Sequence, residues 1–200
     1  MSPEVSSIFS AILSKCKLTG PVLEIGVTYD DNSLINLPCL KEIPIKIGVN
    51  LDDFNSDKYK FIMANGNDLS QFESGSFQII LCNSVLEHDL FFWKTLSEIK
   101  RVAASGGIII IGVPGYRDMG LYNFLFKSKM IRKLIRIISP NSLNKITDAS
   151  SITLGEHFYP GDFYRFSKAS IEKLFMADLV NVEIYEVMLP PRFIGFGVKP

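Results

Sequence analysis

A single carboxylate stands inside an apolar run near the start of the chain. Glu24 lies within Val22–Gly26, whose composition is typical of a strand buried on both faces of a sheet. A carboxylate at such a position needs hydrogen-bond donors or a cation, because burying it unpaired is strongly unfavourable. Two interpretations stay open: backbone amides at the strand end satisfy Glu24, or its carboxylate belongs to a ligand-binding site.

Two histidines are the candidates for catalytic proton transfer. His88 follows the apolar run Gln78–Cys82, at the carboxyl end of a predicted strand, where open α/β sheets bind their ligands. His157 lies in a second loop that we expect to face a ligand. An imidazole changes its charge near neutral pH and therefore suits acid–base catalysis. The alternative for His88 is a hydrogen bond that orients the helix after it.

A polar cluster follows His157 along the chain. Asp162, Tyr164 and Arg165 alternate there with aromatic side chains. A guanidinium presents a planar fork of donors and aromatic faces stack on rings, so Tyr164 and Arg165 could bind an anionic or sugar-like molecule. The alternative is an ordered loop that packs on its own aromatic residues.

Composition excludes several other classes of protein. Lys and Arg number 21 and so do Asp and Glu, so the net charge does not indicate a nucleic-acid partner. The three cysteines lack metal-ligand spacing, and we predict no metal site and a reduced, cytoplasmic location. The chain begins without a basic leader and has no apolar run long enough to span a bilayer. Composition does not indicate an oligomeric state.

Alternating strand and helix patterns must position these residues. Helices are predicted over Val5–Leu13, over Phe92–Ala103 with a stop at Gly106 and Gly107, and after the N-cap Ser167, with Ile171, Leu174 and Phe175 on one face. The predicted strands are Val22–Gly26, Ile45–Val49, Lys60–Ala64, Gln78–Cys82, Gly107–Val113, Val182–Leu189 and Phe193–Val198. This alternation predicts an α/β fold, a Rossmann-like doubly wound and mostly parallel seven-stranded sheet with helices on both faces.

One long segment interrupts the alternation. With 200 residues and 47% hydrophobic content, the chain suits a single domain over 1–200, with an inserted segment at about 116–160. Its stretch Leu121–Ile138 mixes basic and apolar residues and contains no acidic one. Such an amphipathic helix can cover a pocket, bind a partner or lie on an anionic membrane surface. We favour a lid, and membrane contact is the lesser alternative.

The order of motifs from Val22 to Pro114 resembles the class I S-adenosylmethionine-dependent methyltransferases. Val22–Gly26 is similar to the first motif of that family, in which an acid precedes a turn around the methionine part of the cofactor. Segments 64–69, 82–88 and 98–102 follow in the family's order and spacing. The resemblance implies a cofactor site formed by Glu24, Gly26, Thr28, Asn50, Leu51, Asn65, Gly66 and Asn83.

The resemblance also implies an activity. We expect methyl transfer from S-adenosylmethionine to a small-molecule acceptor, for which a hydroxyl-bearing metabolite or a sugar is our candidate. The electrophile is reactive by itself, so the protein must mainly align the reacting atoms and exclude water. A hydroxyl acceptor also needs a general base, and His88 and His157 are the candidates.

Departures from the family pattern keep an alternative open. Thr28 and Asp30 stand where glycines are common, Asn50 and Asn65 where acids are usual, and Gln78 where Asp is usual. An amide oxygen is a weaker acceptor than a carboxylate. The alternative is a methyltransferase-like binding or regulatory module that has lost turnover.

A nicotinamide-dependent oxidoreductase ranks third. Such an enzyme needs glycines arranged around a pyrophosphate after the first strand. The segment 26–30 does not supply them.

Overall fold

The computed structural model describes residues 2–29, 32–53, 55–116, 161–188 and 191–200, together with Met130, Lys133 and Ile137. The chain divides into two compact units, one formed by Met1–Gly115 with His157–Pro200 and the other by Tyr116–Glu156. Most of the second unit lies outside the described residues, so the predicted lid at about 116–160 stays a prediction. The first unit contains the central sheet.

One seven-stranded sheet forms the centre of this unit. Its strands are β1 Val22–Ile25, β2 Lys46–Asn50, β3 Lys60–Met63, β4 Phe77–Asn83, β5 Ala103–Pro114, β6 Val180–Val187 and β7 Arg192–Val198. They lie in the order β3-β2-β1-β4-β5-β7-β6. β1 to β5 pair in parallel, whereas β7 pairs antiparallel with both β5 and β6. The predicted α/β fold with seven strands is confirmed, and its sheet is mixed.

Among the described residues, helices are fewer than a doubly wound pattern predicts. The described helices are α1 Pro3–Ser14, α2 Phe92–Val102 and α3 Lys168–Ser170, which continues directly into a π-helical turn, Ile171–Phe175. β1 and β2 are joined through two short 3₁₀ turns, Leu34–Asn36 and Pro38–Leu40. Within the described residues, only β4, α2 and β5 form a complete strand–helix–strand crossover between parallel neighbours.

Two buried clusters cover the two faces of the sheet. Side chains of α2 and of the π-helical turn contribute to one cluster, with Leu96, Ile99 and Phe175 among them. Side chains of α1 and of the 3₁₀ turns contribute to the other, with Phe9 and Leu34 among them. Helical elements thus pack on both faces, as predicted, although they are short. No helix among the described residues is long and apolar enough to cross a membrane.

Two local predictions are wrong. α2 ends at Val102, before the glycine pair, because the chain is already extended at Ala103 and enters β5 there. Gly106 does have a positive φ of 73°, but it lies in an irregular part of β5 where the register to β4 shifts. Leu174 is exposed, because the backbone N–H of Met176 bonds the carbonyl of Ile171 and the wider winding turns Leu174 outward.

Candidate functional site

A cleft of about 460 Å³ opens at the carboxyl ends of β1 to β4. Because these strands are parallel, their ends meet at one edge of the sheet, and the strand order changes direction between β1 and β4. Ligands of open α/β sheets bind at this position, and the volume suits a small organic ligand. The predicted residues that line the cleft are Gly26, Thr28, Asn50, Leu51, Asn65, Gly66 and His88.

Glu24 is buried behind the cleft and does not line it. Its side chain is 4% exposed. Its Oε1 accepts a hydrogen bond from the backbone N–H of Leu34 at 3.0 Å, and its Oε2 accepts one from Ile35 at 2.7 Å. Backbone amides therefore bond to both oxygens of the carboxylate, and a role of Glu24 in cofactor binding stays a prediction. Glu24 ties the first 3₁₀ turn to β1 and so anchors the far end of the loop that borders the cleft.

That loop leaves β1 at Gly26, where only glycine fits. Gly26 has a φ of +79°, and an added Cβ would lie 2.2 Å from the side chain of Val85. Further along, hydroxyl groups hold the loop. The Oγ of Ser33 accepts a hydrogen bond from the backbone N–H of Thr28 at 2.7 Å, and the Tyr59 hydroxyl donates to the Thr28 carbonyl at 2.6 Å. Side chains thus hold Thr28 in place, at a position where the family commonly has a glycine.

Asn50 holds the same loop from β2. Its Nδ2 donates to the carbonyl of Val27 at 2.7 Å, while its Oδ1 accepts from the backbone N–H of Leu51 at 2.6 Å. An ionised aspartate at this position could not donate to Val27. The contact explains why an amide stands where the family usually has an acid. The sequence alone did not indicate that Asn50, at the end of β2, bonds to Val27, which follows β1.

A polar network forms the opposite wall of the cleft. The Oδ1 of Asn65 accepts from the backbone and the side chain of Asn67, at 3.0 and 3.1 Å. Asp89 accepts from Asn67 at 2.9 Å, from the backbone N–H of Phe91 at 2.8 Å and from Thr95 at 2.6 Å. Within the described part of the chain, the buried Oδ1 of Asn67 has no hydrogen-bond partner. Sequence reasoning placed Asn67 in the family-like segment 64–69 without assigning it a role, and it missed Asp89, although an acid just before a helix is a common start signal.

A buried acid stands beside His88. Glu87 is 3% exposed, and its Oε1 lies 3.9 Å from Nε2 of His88 and 3.8 Å from the guanidinium of Arg192. Burial raises the pKa of Glu87 to about 7, although Arg192 and Arg165 favour its charged form. Arg192 also donates to the hydroxyl of Ser84, which lines the cleft. Sequence reasoning assigned no role to Glu87, Ser84 or Arg192.

The predicted acceptor residues are engaged within the protein. Arg165 forms an ion pair with Asp162, and the Tyr164 hydroxyl donates to the carbonyl of Leu90 at 3.0 Å. Tyr164 and Arg165 do not appear among the residues lining this cleft, whereas Phe163 does and is 52% exposed. A role for Tyr164 and Arg165 in acceptor binding stays a prediction.

Asn83 and His157 are the remaining predicted site residues. Asn83, at the end of β4, donates through its Nδ2 to the Ser84 hydroxyl at 3.1 Å and does not line the cleft. His157 lies outside the described residues, so its predicted catalytic role stays a prediction.

Comparisons with known proteins agree with this geometry. A family model described as a methyltransferase domain matches residues 47–111. No curated protein matches the chain. Among solved structures, Haemonchus contortus phosphoethanolamine N-methyltransferase 2 in complex with S-adenosyl-L-methionine superposes with a TM-score of 0.63 at 11% identity, covering 100% of this chain and 53% of its own.

Other solved structures extend the likeness. Burkholderia thailandensis 1,6-didemethyltoxoflavin-N1-methyltransferase, bound to 1,6-didemethyltoxoflavin and S-adenosylhomocysteine, gives a TM-score of 0.61 at 14% identity and covers 98% of this chain and 77% of its own. A chain from the complex that contains the Haloferax volcanii Trm112 methyltransferase activator gives 0.56 at 16% identity, with coverages of 98% and 92%. The family model matches about a third of the chain, and the solved structures share its fold, so this chain is similar in fold to S-adenosylmethionine-dependent methyltransferases.

Proposed function

We propose that this protein transfers a methyl group from S-adenosylmethionine to a small-molecule acceptor. The observation that carries the proposal is the cleft at the carboxyl ends of β1 to β4, lined by Gly26, Asn50, Leu51 and Asn65. These residues follow three neighbouring parallel strands, where a nucleoside-containing cofactor is expected. The bound cofactor supplies an activated methyl group, so the protein's own residues need to bind, orient and exclude water.

Two features of the cleft fit such a cofactor. The backbone at Gly26 can approach a ligand closely, because this residue has no Cβ and its loop is tethered by side chains. On the opposite wall, the buried Oδ1 of Asn67 is an acceptor without a partner among the described residues. A buried acceptor is costly to leave unpaired, and an amino group of an adenine ring is the type of donor that would satisfy it.

The mouth of the cleft favours an acceptor with an apolar or ring-shaped face. Leu90, Phe91 and Phe163 line it and are each about half exposed. The backbone N–H of Phe163 donates to the carbonyl of Glu87 at 2.8 Å, so this rim is held in place. Covering these side chains with a ligand would remove apolar surface from water. The Burkholderia neighbour, by its name, methylates a nitrogen of a ring compound, which is compatible with this class of acceptor.

His88 is the proposed general base. It lines the cleft next to Ser84, just after the end of β4. A hydroxyl acceptor must lose a proton as it is methylated, and an imidazole at the cleft wall can take that proton. An amine acceptor would need this help less.

A binding module without turnover is the second candidate. The side-chain oxygens of Asn50 and Asn65 already accept hydrogen bonds within the protein, which reduces what they offer to a ligand. Binding of the demethylated cofactor product, without methyl transfer in a broad acceptor screen, would favour this candidate over the enzyme.

Calorimetry with S-adenosylmethionine and S-adenosylhomocysteine tests the proposal. We expect binding by the natural chain, loss of binding in Gly26→Ala, and retained binding in Gly20→Ala. Gly20 is a matched control, because it also has a positive φ and a crowded Cβ position but contacts Gln78 and does not line the cleft. Absence of heat for the natural chain at millimolar concentrations of both compounds would refute the proposed function.

A further inference from the structure

A group of charged side chains lies directly behind the cleft and takes no part in the proposed cofactor site. Glu87 stands at its centre, with Arg192 from the start of β7 and the ion pair of Asp162 and Arg165 beside it. His88 joins this group to the cleft. Buried charges are costly to maintain, so an arrangement of this kind next to a ligand site calls for a functional explanation.

The electrostatic surroundings of His88 depend on Glu87. Arg192 lies 3.8 Å from the Glu87 carboxylate, and Arg165 also acts on it. The positive charges of both guanidiniums would disfavour protonation of the His88 imidazole. The positive charge of Arg165 is offset by its ion pair with Asp162. The buried thiol of Cys82 contributes no charge, because burial raises its pKa and keeps it neutral. Among the described residues, the carboxylate of Glu87 lies 3.9 Å from Nε2 of His88 and can stabilise a protonated imidazole, whereas the carboxylate of the neighbouring Asp89 already accepts hydrogen bonds from Asn67, Phe91 and Thr95.

We propose that Glu87 is a positioning residue that sets the protonation state of His88 and so enables His88 to take the acceptor's proton. This inference rests on the proposed function. The proton leaves the oxygen or nitrogen of the acceptor and resides on the imidazole, which later releases it to water. Nothing is oxidised or reduced in this step. Glu87 acts only through His88, because Glu87 itself does not line the cleft.

The acidity of Glu87 supports this role. Burial raises the pKa of Glu87 to about 7, which is close to the ordinary range of an imidazole. One of the buried Glu87 oxygens, Oε2, has no hydrogen-bond partner among the described residues. The carboxyl group is therefore still able to change its protonation state or form a hydrogen bond when the charge on His88 changes.

Nuclear magnetic resonance titration of the full chain tests the coupling without any acceptor. The chain has two histidines, so His157→Gln assigns the imidazole signals of His88. In Glu87→Gln we expect the pKa of His88 to fall by about one pH unit or more, since an opposite charge at this distance shifts a pKa by about 1–3. Glu87→Asp should restore part of the shift. The control Glu73→Gln removes an exposed carboxylate and should leave His88 unchanged.

The outcomes separate this inference from the proposed function. An unchanged pKa of His88 in folded Glu87→Gln overturns the inference and leaves Glu87 with a structural role only. If Glu87→Gln does not fold, Glu87→Asp replaces it: the shorter side chain carries its carboxylate away from Nε2 of His88 and should lower the pKa of His88, and no change overturns the inference. Failure of S-adenosylhomocysteine to bind in calorimetry refutes the proposed function even if the coupling is found.

Discussion

Restoring the family's usual acid at position 50 should harm this protein. In Asn50→Asp, the hydrogen bond of 2.7 Å from Nδ2 to the carbonyl of Val27 is lost, and a carboxylate oxygen faces that carbonyl instead. Leaving a buried acceptor unpaired costs about 1–3 kcal/mol. We expect the free energy of unfolding to fall by about 1.5 kcal/mol at neutral pH, since Asn50 itself is only partly buried.

Affinity for the demethylated cofactor product should fall together with stability. Asn50 holds the loop that borders the cleft. Without this hydrogen bond, part of the binding free energy is spent on ordering the loop, and affinity falls. A loss of about 1.4 kcal/mol corresponds to a tenfold weaker affinity. Urea unfolding measures the first effect and calorimetry with S-adenosylhomocysteine the second.

Asn65→Asp is the matched control for this exchange. The Oδ1 of Asn65 accepts from Asn67, which a carboxylate can do equally well, and no described hydrogen bond uses the Asn65 amide as donor. This variant should keep its stability and bind the product at least as tightly. If Asn50→Asp kept full stability and bound the product more tightly, the tether from Asn50 to Val27 would not have the importance that we assign to it.

Individual contacts give three further predictions. Glu24→Gln should lower the free energy of unfolding by about 1–3 kcal/mol in urea, because an amide can accept from only one of Leu34 and Ile35; equal stability would show that these bonds are unimportant. Glu87 titrates at about 7 in the folded chain and near 4.5 when unfolded, so the folded state binds the proton more tightly and stability falls as pH rises from about 5 to 7. The gap of about 2.5 in pKa corresponds to about 3 kcal/mol at most, and Glu87→Gln should flatten this slope in thermal unfolding; an equal slope in both chains contradicts it. Tyr59→Phe removes the hydrogen bond to the Thr28 carbonyl and should weaken S-adenosylhomocysteine binding about fivefold, measured against the distant variant Tyr185→Phe.

Local patterns predicted most of the secondary structure. Short apolar runs bounded by turn residues placed all the strands of the sheet within a few residues of their observed limits. Ser167 caps its helix, accepting from the backbone N–H of Ser170 at 3.1 Å, as its position indicated. Where prediction failed, the decisive contact was not local. Because β5 already pairs with β4 at Ala103, α2 ends at Val102 and does not reach the predicted stop at Gly106.

The site divides in the same way. The sequence by itself determined that polar residues follow the strands at one edge of a parallel sheet, because this depends on periodicity and on the order of elements. Only the tertiary structure decided what those residues bond: Glu24 to amides ten and eleven residues later, Asn50 to Val27, and Glu87 to Arg192. These partners meet through the pairing of strands that are distant in sequence. Burial then sets the acidity of Glu87, because the loss of water depends on the packing around it and not on its neighbours along the chain.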